Sequence, residues 1–280
     1  MSAFDWHVGD RVLRCAERTH VMGVINVTPD SFSDGGRLED PEAAVTQGLR
    51  MTEDGADLLD VGGESTRPGS DPVAVPEEID RVLPVIKRLT AEVDIPISID
   101  TRKAEVARAG LDAGATIVND ITAGSDPSMF TIVREAGAGM VLMHIKGEPK
   151  TMQENPTYDD VVREVHDYLA GRIEAAVAAG IPAERLAVDP GLGFGKTAAH
   201  SYTLMREVEA LLDLGRPVVV GPSRKSFIGA ASGDLPVEER LEGTAAAVAV
   251  MAFQGAHVVR VHDVREMVRV VRVADAIRGS

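Results

Sequence analysis

Eight short apolar runs recur along the chain, and each ends in a polar residue before a stretch with helical character. Near-continuous Val, Ile and Leu over roughly four to six residues are typical of strands buried on both faces of a parallel sheet. Eight such strands alternating with helices predict a (β/α)8 TIM barrel, in which the carboxyl ends of the strands carry the active site. The residues at these ends are Asn26, Glu64, Asp100, Asp120, His144, Asp189, Lys225 and Asp263.

Amphipathic segments between the runs complete the barrel pattern, and several of them end in glycine, as helices commonly do. The predicted helices span about 41–54, 77–92, 103–113, 127–136, 158–179, 198–212, 238–254 and 264–277. Alternation around Gly9 predicts an N-terminal hairpin in 1–19 that caps the bottom of the barrel. The 280 residues are about right for one barrel domain, 1–280. The loops after the first two runs are long and rich in Gly, Pro and Ser, and we expect them to be mobile covers.

The segment 243–254 is apolar on nearly every face, so both of its sides need cover. The barrel provides one side, and either a second subunit or neighbouring helices provide the other. We therefore expect a homodimer.

Composition excludes several classes of function. The formal charge of −15 argues against nucleic acid or an anionic membrane as the main partner. The single cysteine, Cys15, excludes an intrachain disulfide. No apolar run is long enough for a membrane span, and no signal pattern opens the chain, so we expect a cytoplasmic protein.

Two sets of polar side chains are expected at the barrel mouth. Asp100, Asn119 and Asp189 suit a ligand that presents an edge of hydrogen-bond donors, such as an aminopyrimidine or pterin ring. A metal site and simple helix capping are the alternatives for these residues. The basic set suits an anion, because late barrel strands and helix starts commonly bind phosphate. It comprises Arg67, Arg224, Lys225, Arg260 and His262.

The glycine-rich stretch 189–196 lacks the spacing of a phosphate-binding P-loop. Its glycines allow close backbone approach to a flat ligand, with Phe194 available for a ring contact. His144 either lines this pocket or is a satisfied buried histidine.

Seven motifs in order resemble those of the dihydropteroate synthases of the folate pathway. They are GVINVTPDSFSDGG (23–36), DVGGESTRPG (60–69), SIDT (98–101), VND (118–120), DPGLGFGK (189–196), GPSRKSFIG (221–229) and RVHDV (260–264). The resemblance implies a sulfonamide-targeted, usually dimeric TIM-barrel transferase. Its reaction joins 6-hydroxymethyl-7,8-dihydropterin diphosphate to 4-aminobenzoate and releases diphosphate.

The same resemblance implies a role for individual residues. The pterin positions are Asp100, Asn119, Met143, Asp189 and Lys225, and the diphosphate positions are Asn26, Arg67, Arg260 and His262. The aminobenzoate positions are Phe32, Thr66, Arg67, Phe194 and Ser226, with Asp34 in the first loop. Asn26 is also the implied ligand of a Mg2+ ion.

We expect an SN1-like substitution in which leaving-group stabilisation and positioning dominate. Its main participants are Asp100, Asp189, Lys225, Arg260 and His262. A methyltetrahydrofolate-binding methyltransferase, a non-catalytic pterin-binding paralogue and a sugar-phosphate barrel enzyme are the competing interpretations. The first two do not explain the cation positions, all of which are present.

Overall fold

The computed structural model describes residues 4–28 and 41–279. Its strands are β1 Asp5–Val8, β2 Arg11–Arg14, β3 His20–Asn26, β4 Leu58–Gly62, β5 Ile97–Asp100, β6 Ile117–Asp120, β7 Gly139–Met143, β8 Leu186–Asp189, β9 Val219–Val220 and β10 Val258–Val261. Its helices are α1 Pro41–Glu53, α2 Val75–Glu92, α3 Ala104–Asp112, α4 Met129–Ala136, α5 Val161–Ala178, α6 Ala198–Arg206, α7 Ser226–Ala231, α8 Leu241–Phe253 and α9 Val264–Gly279.

The strands β3 to β10 form one parallel sheet, in the order β8-β7-β6-β5-β4-β3-β10-β9. A parallel bridge between Val188 and Val218 joins its two ends, so the sheet closes into a barrel. Every residue of β4 and of β7 is buried, as expected for strands with side chains in the barrel on one face and under helices on the other. The predicted TIM barrel is confirmed.

Several predicted boundaries were wrong. The second run ends as a strand at Gly62 rather than Glu64, and the eighth ends at Val261. The seventh is a strand only over Val219–Val220, because Pro217 and Pro222 flank it and a proline has no N–H for the ladder.

Helix boundaries differ for similar local reasons. The predicted 198–212 helix ends at Arg206 and continues as a 3-10 segment over Val208–Leu214. The predicted 158–179 helix begins at Val161, because the Asp160 carboxylate caps it and accepts from two backbone N–H groups at 3.1 Å. The short helix α7 is absent from the predicted helices, although a helix start was expected near Lys225.

The hairpin β1–β2 closes the bottom of the barrel, which confirms its predicted position. Trp6 and Val8 are fully buried in one cluster with the first residues of several barrel strands. The indole of Trp6 donates to the Arg185 carbonyl at 3.0 Å. The bottom is therefore an apolar plug, and any ligand must enter at the carboxyl ends of the strands.

The surface of α8 is partly covered by its own chain. Its buried side chains include Val248 and Met251, whereas Val250 and Phe253 are 50% and 52% exposed. Neighbouring helices thus do not cover both sides. In the described part of the chain, no helix is long and apolar enough to cross a membrane.

Candidate active site

An ion-pair network occupies the carboxyl ends of β4, β5, β6 and β10. The Arg260 guanidinium donates through Nε to Asp60 at 2.6 Å and through Nη2 to Asp100 at 2.7 Å. Asn119 donates to the same oxygen of Asp60 at 2.9 Å. These four side chains come from positions far apart in the chain and meet because parallel strands end at the same rim.

The network carries two carboxylates for one guanidinium. Asp60 is completely buried, and its second oxygen has no hydrogen-bond partner among the residues described. Burial and the neighbouring Asp60 charge raise the pKa of Asp100 to about 7. Burial alone would favour neutral Arg260, but the charges of Asp60 and Asp100 instead raise its pKa. Arg260 therefore stays charged, while the Asp100 carboxyl gains a proton readily.

The next part of the mouth is built by Asp189 and Lys225. Asp189 ends β8, is 6% exposed and accepts from the Gly191 N–H at 2.7 Å. Burial raises the pKa of Asp189 and lowers that of Lys225 to about 8, even though the two charges attract. The Lys225 amine donates to the Leu192 carbonyl and lies 4.6 Å from the centre of the Phe194 ring. Met143 is buried at the end of β7.

The residues that the sequence assigned to anion binding do not all carry a free positive charge. His262 lies 2.9 Å from the Ser223 hydroxyl, and burial together with Arg260 and Arg224 lowers its pKa to about 4. His262 is therefore neutral at pH 7 and offers hydrogen bonds rather than charge. Arg224 forms an ion pair with Asp263 and so does not contribute a free cation. Ser226 is exposed at the start of α7.

Arg260 joins two regions that the sequence analysis kept apart. It was assigned to the anion end and Asp100 to the ring-binding end, but their side chains are in direct contact. Its Nη1 group has no hydrogen bond to the residues described, which leaves donors available. Arg260 thus has the geometry to serve both ends of a ligand.

The second long loop, 63–74, is fastened to the rim by buried charge. Glu64 accepts from Lys103 at 2.6 Å, from Arg102 at 3.1 Å and from the backbone N–H of Val73 at 2.8 Å. These contacts leave Thr66 half-buried and Arg67 exposed at the mouth. The loop is therefore anchored at both ends, and Thr66 and Arg67, two residues predicted to contact 4-aminobenzoate, remain accessible at the mouth.

Asn26, at the end of β3, is half-buried, and its side chain makes no hydrogen bond within 4–28 and 41–279. Among those residues, no group of three or more His, Cys, Asp or Glu side chains could hold a metal ion. The predicted positions Phe32 and Asp34 lie outside the described residues.

Sequence reasoning missed two features of the site. Asp60 lies inside the apolar run LLDVG, and an acidic residue within a buried strand was the signal available. Lys196 was seen only as part of a glycine-rich motif, yet it is 2% exposed with its amine 2.8 Å from His144 Nδ1. That contact depends on how two loops pack, which spacing does not encode.

The barrel mouth thus combines buried oxygen acceptors, which suit the N–H edge of a pterin ring, with the guanidinium of Arg260, which is held by two carboxylates. This combination is expected of a pterin-binding protein. The model of the family described as "Pterin binding enzyme" matches residues 22–262. A dihydropteroate synthase of Synechocystis is 44% identical over 271 residues, covering 96% of this chain and 94% of that protein.

Solved structures agree. The dihydropteroate synthase of Yersinia pestis in a sulfonamide drug complex superposes with a TM-score of 0.94 at 40% identity, over 99% of this chain and 100% of that one. The Xanthomonas albilineans enzyme with 4-aminobenzoic acid gives 0.93 at 46% identity, covering 99% of both chains. The chain belongs to the pterin-binding enzymes and, within them, to the dihydropteroate synthase family. It is a transferase of folate biosynthesis.

Proposed function

We propose that the chain joins 6-hydroxymethyl-7,8-dihydropterin diphosphate to 4-aminobenzoate, giving 7,8-dihydropteroate and diphosphate. The observation that carries this proposal is the buried network of Asp60, Arg260, Asp100 and Asn119 beside Asp189 and Lys225. It combines acceptors for the amino and ring N–H groups of a pterin with a permanent cation for its leaving group. Family membership and the related structures support the same reaction.

The pterin would lie against the buried acceptors. Asp100, Asn119 and Asp189 offer oxygen atoms to its donor edge, Met143 packs against the ring, and Lys225 donates to a ring acceptor. Because the pocket is already hydrogen-bonded before substrate arrives, little reorganisation is needed on binding. The pocket would therefore select the ring by its pattern of donors and acceptors.

The reaction breaks the bond between the pterin methylene carbon and the bridging diphosphate oxygen. The electron pair leaves with diphosphate, and the developing cation is delocalised into the dihydropterin ring. The aromatic amine of 4-aminobenzoate then forms the new carbon–nitrogen bond and loses a proton. We propose that Arg260, Arg67 and neutral His262 stabilise the leaving diphosphate, while Asp100 and Asp189 offset the positive charge on the ring.

The second substrate would bind on the outer side of the mouth. Thr66 and Arg67 lie on the anchored second loop, Phe194 lies below Lys225, and Ser226 is exposed at the first turn of α7. We propose that Ser226 binds the aminobenzoate carboxylate and that Phe194 contacts its ring. The motif resemblance assigns Phe32 and Asp34, which lie outside the described residues, to the same substrate. A sulfonamide drug is bound to the related Yersinia pestis enzyme, and we propose that sulfonamides inhibit this chain by binding in the proposed 4-aminobenzoate site.

A Mg2+ ion bound with the diphosphate fits the donor chemistry of Asn26. Mg2+ commonly takes one or two protein oxygens and completes its shell with water and substrate phosphates. The Asn26 side chain has no other hydrogen bond among the described residues, so its amide oxygen is available. The ion would neutralise charge on the departing diphosphate.

We propose that the protein acts as a homodimer through α8 and α9. A surface cavity of about 700 Å³ lies between these helices and is lined by Phe253, Val273 and Ile277 among others, with side chains 52%, 61% and 58% exposed. Large apolar side chains grouped on one face are typical of an interface that buries itself against a second copy. A dimer measured by light scattering, converted to monomer by Phe253→Asp, would support this assembly. A cytoplasmic location stays a prediction from the sequence.

A coupled assay of diphosphate release tests the proposed reaction. We expect release to require both substrates and Mg2+, and to depend on the cation at position 260. Release that is independent of 4-aminobenzoate would mean hydrolysis and would contradict a synthase. The Arg224→Met variant, whose arginine is paired with Asp263, is the matched control for Arg260→Met.

A further inference from the structure

Four consecutive carbonyl groups of the loop after β8 are each bound by a side chain. In order, the pairs are Leu192 with Lys225, Gly193 with Gln153, Phe194 with Lys196 and Gly195 with Tyr158. A loop backbone held at every carbonyl opens less readily than one that is bound only to water. The conformation of this loop, and with it the position of the Phe194 ring, is therefore fixed by side chains around it.

The loop also sits directly on the chain that follows β7. Gly191 has a φ of +65°, and a Cβ there would overlap the carbonyl oxygen of His144. Gly195 has a φ of +61°, and a Cβ there would overlap the carbonyl of Lys146. Only glycine allows this close approach. The two segments are consequently in backbone contact, with no space for the loop to shift inward.

Lys196 lies at the seam between these two segments. Its amine is 2.8 Å from His144 Nδ1 and donates to the Phe194 carbonyl at 3.0 Å. Among the four donors, Lys196 alone is almost completely buried, with 2% exposure. Burying an amine is costly unless its hydrogen bonds are satisfied. The retention of this group behind the mouth requires an explanation, because the proposed reaction does not use it.

The surroundings of the pair favour hydrogen bonding over charge. Burial lowers the pKa of Lys196 well below its usual range. Burial is the main cause that lowers the pKa of His144 to about 3, so the imidazole stays neutral. The His144 ring is further packed edge-on against Tyr168, with 4.9 Å between ring centres. Lys196 thus connects the loop to a rigid, neutral neighbour.

We propose that Lys196 is a positioning residue for the second substrate, holding the Phe194 carbonyl against His144 so that the Phe194 ring is ready for 4-aminobenzoate. The proposal rests on the proposed function, because the contact of Phe194 with aminobenzoate is assigned there. Among the described residues, Lys196 makes its hydrogen bonds to His144 and Phe194 and none to Asp100, Asn119 or Asp189, which bind the pterin in that scheme. Its effect should therefore fall on one substrate and not on both.

The test is a Lys196→Met variant, which keeps the length of the side chain and removes its hydrogen bonds. We expect the KM for 4-aminobenzoate to rise about tenfold, the scale of losing the one buried hydrogen bond that holds the Phe194 carbonyl. The dissociation constant of 6-hydroxymethyl-7,8-dihydropterin diphosphate, measured by calorimetry, should stay within about twofold of wild type. Lys87→Met, the same change at an exposed lysine of α2, is the matched control and should leave both constants unchanged.

Two results would overturn the proposal. A folded Lys196→Met protein with a lower Tm but unchanged constants would show that the residue only stabilises the fold. Equal weakening of both substrates would show that it supports the whole mouth. If Lys196→Met does not fold, Tyr158→Phe provides the test. It removes the 2.8 Å hydrogen bond to the neighbouring Gly195 carbonyl and should raise only the KM for 4-aminobenzoate. Wild-type turnover without 4-aminobenzoate would instead refute the proposed function itself.

Discussion

The two ends of the same eight strands differ in what they bury. At the bottom, Trp6 and Val8 are enclosed with apolar residues such as Met22 and Leu58, each with no exposure. At the top, the strands end in an ion-pair network and in buried polar groups. The apolar end gains free energy by excluding water, whereas the polar end incurs a desolvation cost that its ion pairs and hydrogen bonds, and a bound ligand, have to offset.

This contrast separates stability from function along each strand. A residue a few positions before the carboxyl end contributes packing, and a residue at that end contributes chemistry. The separation holds because the barrel interior is filled with side chains and offers no passage between its ends. Substitutions at the two ends should therefore be distinguishable by whether they change the free energy of unfolding or the kinetic constants.

The largest expected effect is on stability, from Trp6→Ala at the bottom. Removing a buried indole and its bond to the Arg185 carbonyl should lower the free energy of unfolding by about 3–5 kcal/mol. Urea denaturation followed by circular dichroism measures this loss, since Trp6 is the single tryptophan and its fluorescence disappears with it. KM values below the transition should stay unchanged. A changed KM would show that the two ends are coupled.

At the top, Arg260→Met should act mainly on the reaction. Loss of the cation should reduce kcat/KM about 100-fold, the scale of removing one preorganised donor from a developing negative charge. Arg224→Met removes a guanidinium that is already paired with Asp263 and should change kcat/KM far less. Comparable losses in both variants would contradict the assignment of Arg260 to the leaving group.

Asp100→Asn should change how stability depends on pH. The pKa of Asp100 is raised to about 7, so between pH 4 and 7 the unfolded chain loses its proton before the folded protein does. Ionisation there favours the unfolded state, and Asp100 makes the wild-type free energy of unfolding fall as pH rises, by up to about 1.4 kcal/mol per pH unit. Asn does not titrate, so the wild-type minus variant difference should decrease over this window. A constant difference would mean that Asp100 has an ordinary pKa.

The same contrast explains how far the sequence alone could predict this molecule. The barrel follows from its apolar runs, because strands buried on both faces leave a continuous signal that needs no knowledge of neighbours. The rim residues Asp100, Asn119 and Asp189 were predictable because position at a strand end determines where a side chain points. The ion pairs between rim residues were not predictable, because Arg260 contacts Asp60 and Asp100, which lie 200 and 160 residues away in the sequence.

Loop contacts were the least predictable part. The environment of Lys196 depends on the close approach of two segments after β7 and β8, each of irregular conformation. Glycines in DPGLGFGK indicated that some close approach occurs, but not which chain approaches. Motif resemblance predicts which residues contact the substrates, and the structure shows which residues hold those side chains in place.

The smallest change in the free energy of unfolding is expected from a solvent-exposed ion pair at the carboxyl ends of the strands. Arg102 binds two carboxylates, Glu64 with a side chain 7% exposed and Glu148 with one 71% exposed. Glu148→Gln should change the free energy of unfolding by less than about 0.5 kcal/mol, because water replaces an exposed ion pair at little cost. Glu64→Gln removes charge from a buried group that also accepts from Lys103 and Val73, so it should destabilise more and raise the KM for aminobenzoate by loosening the second loop. Denaturation and kinetics of the matched pair measure both effects. Equal effects would show that burial of charge at this rim does not decide its contribution.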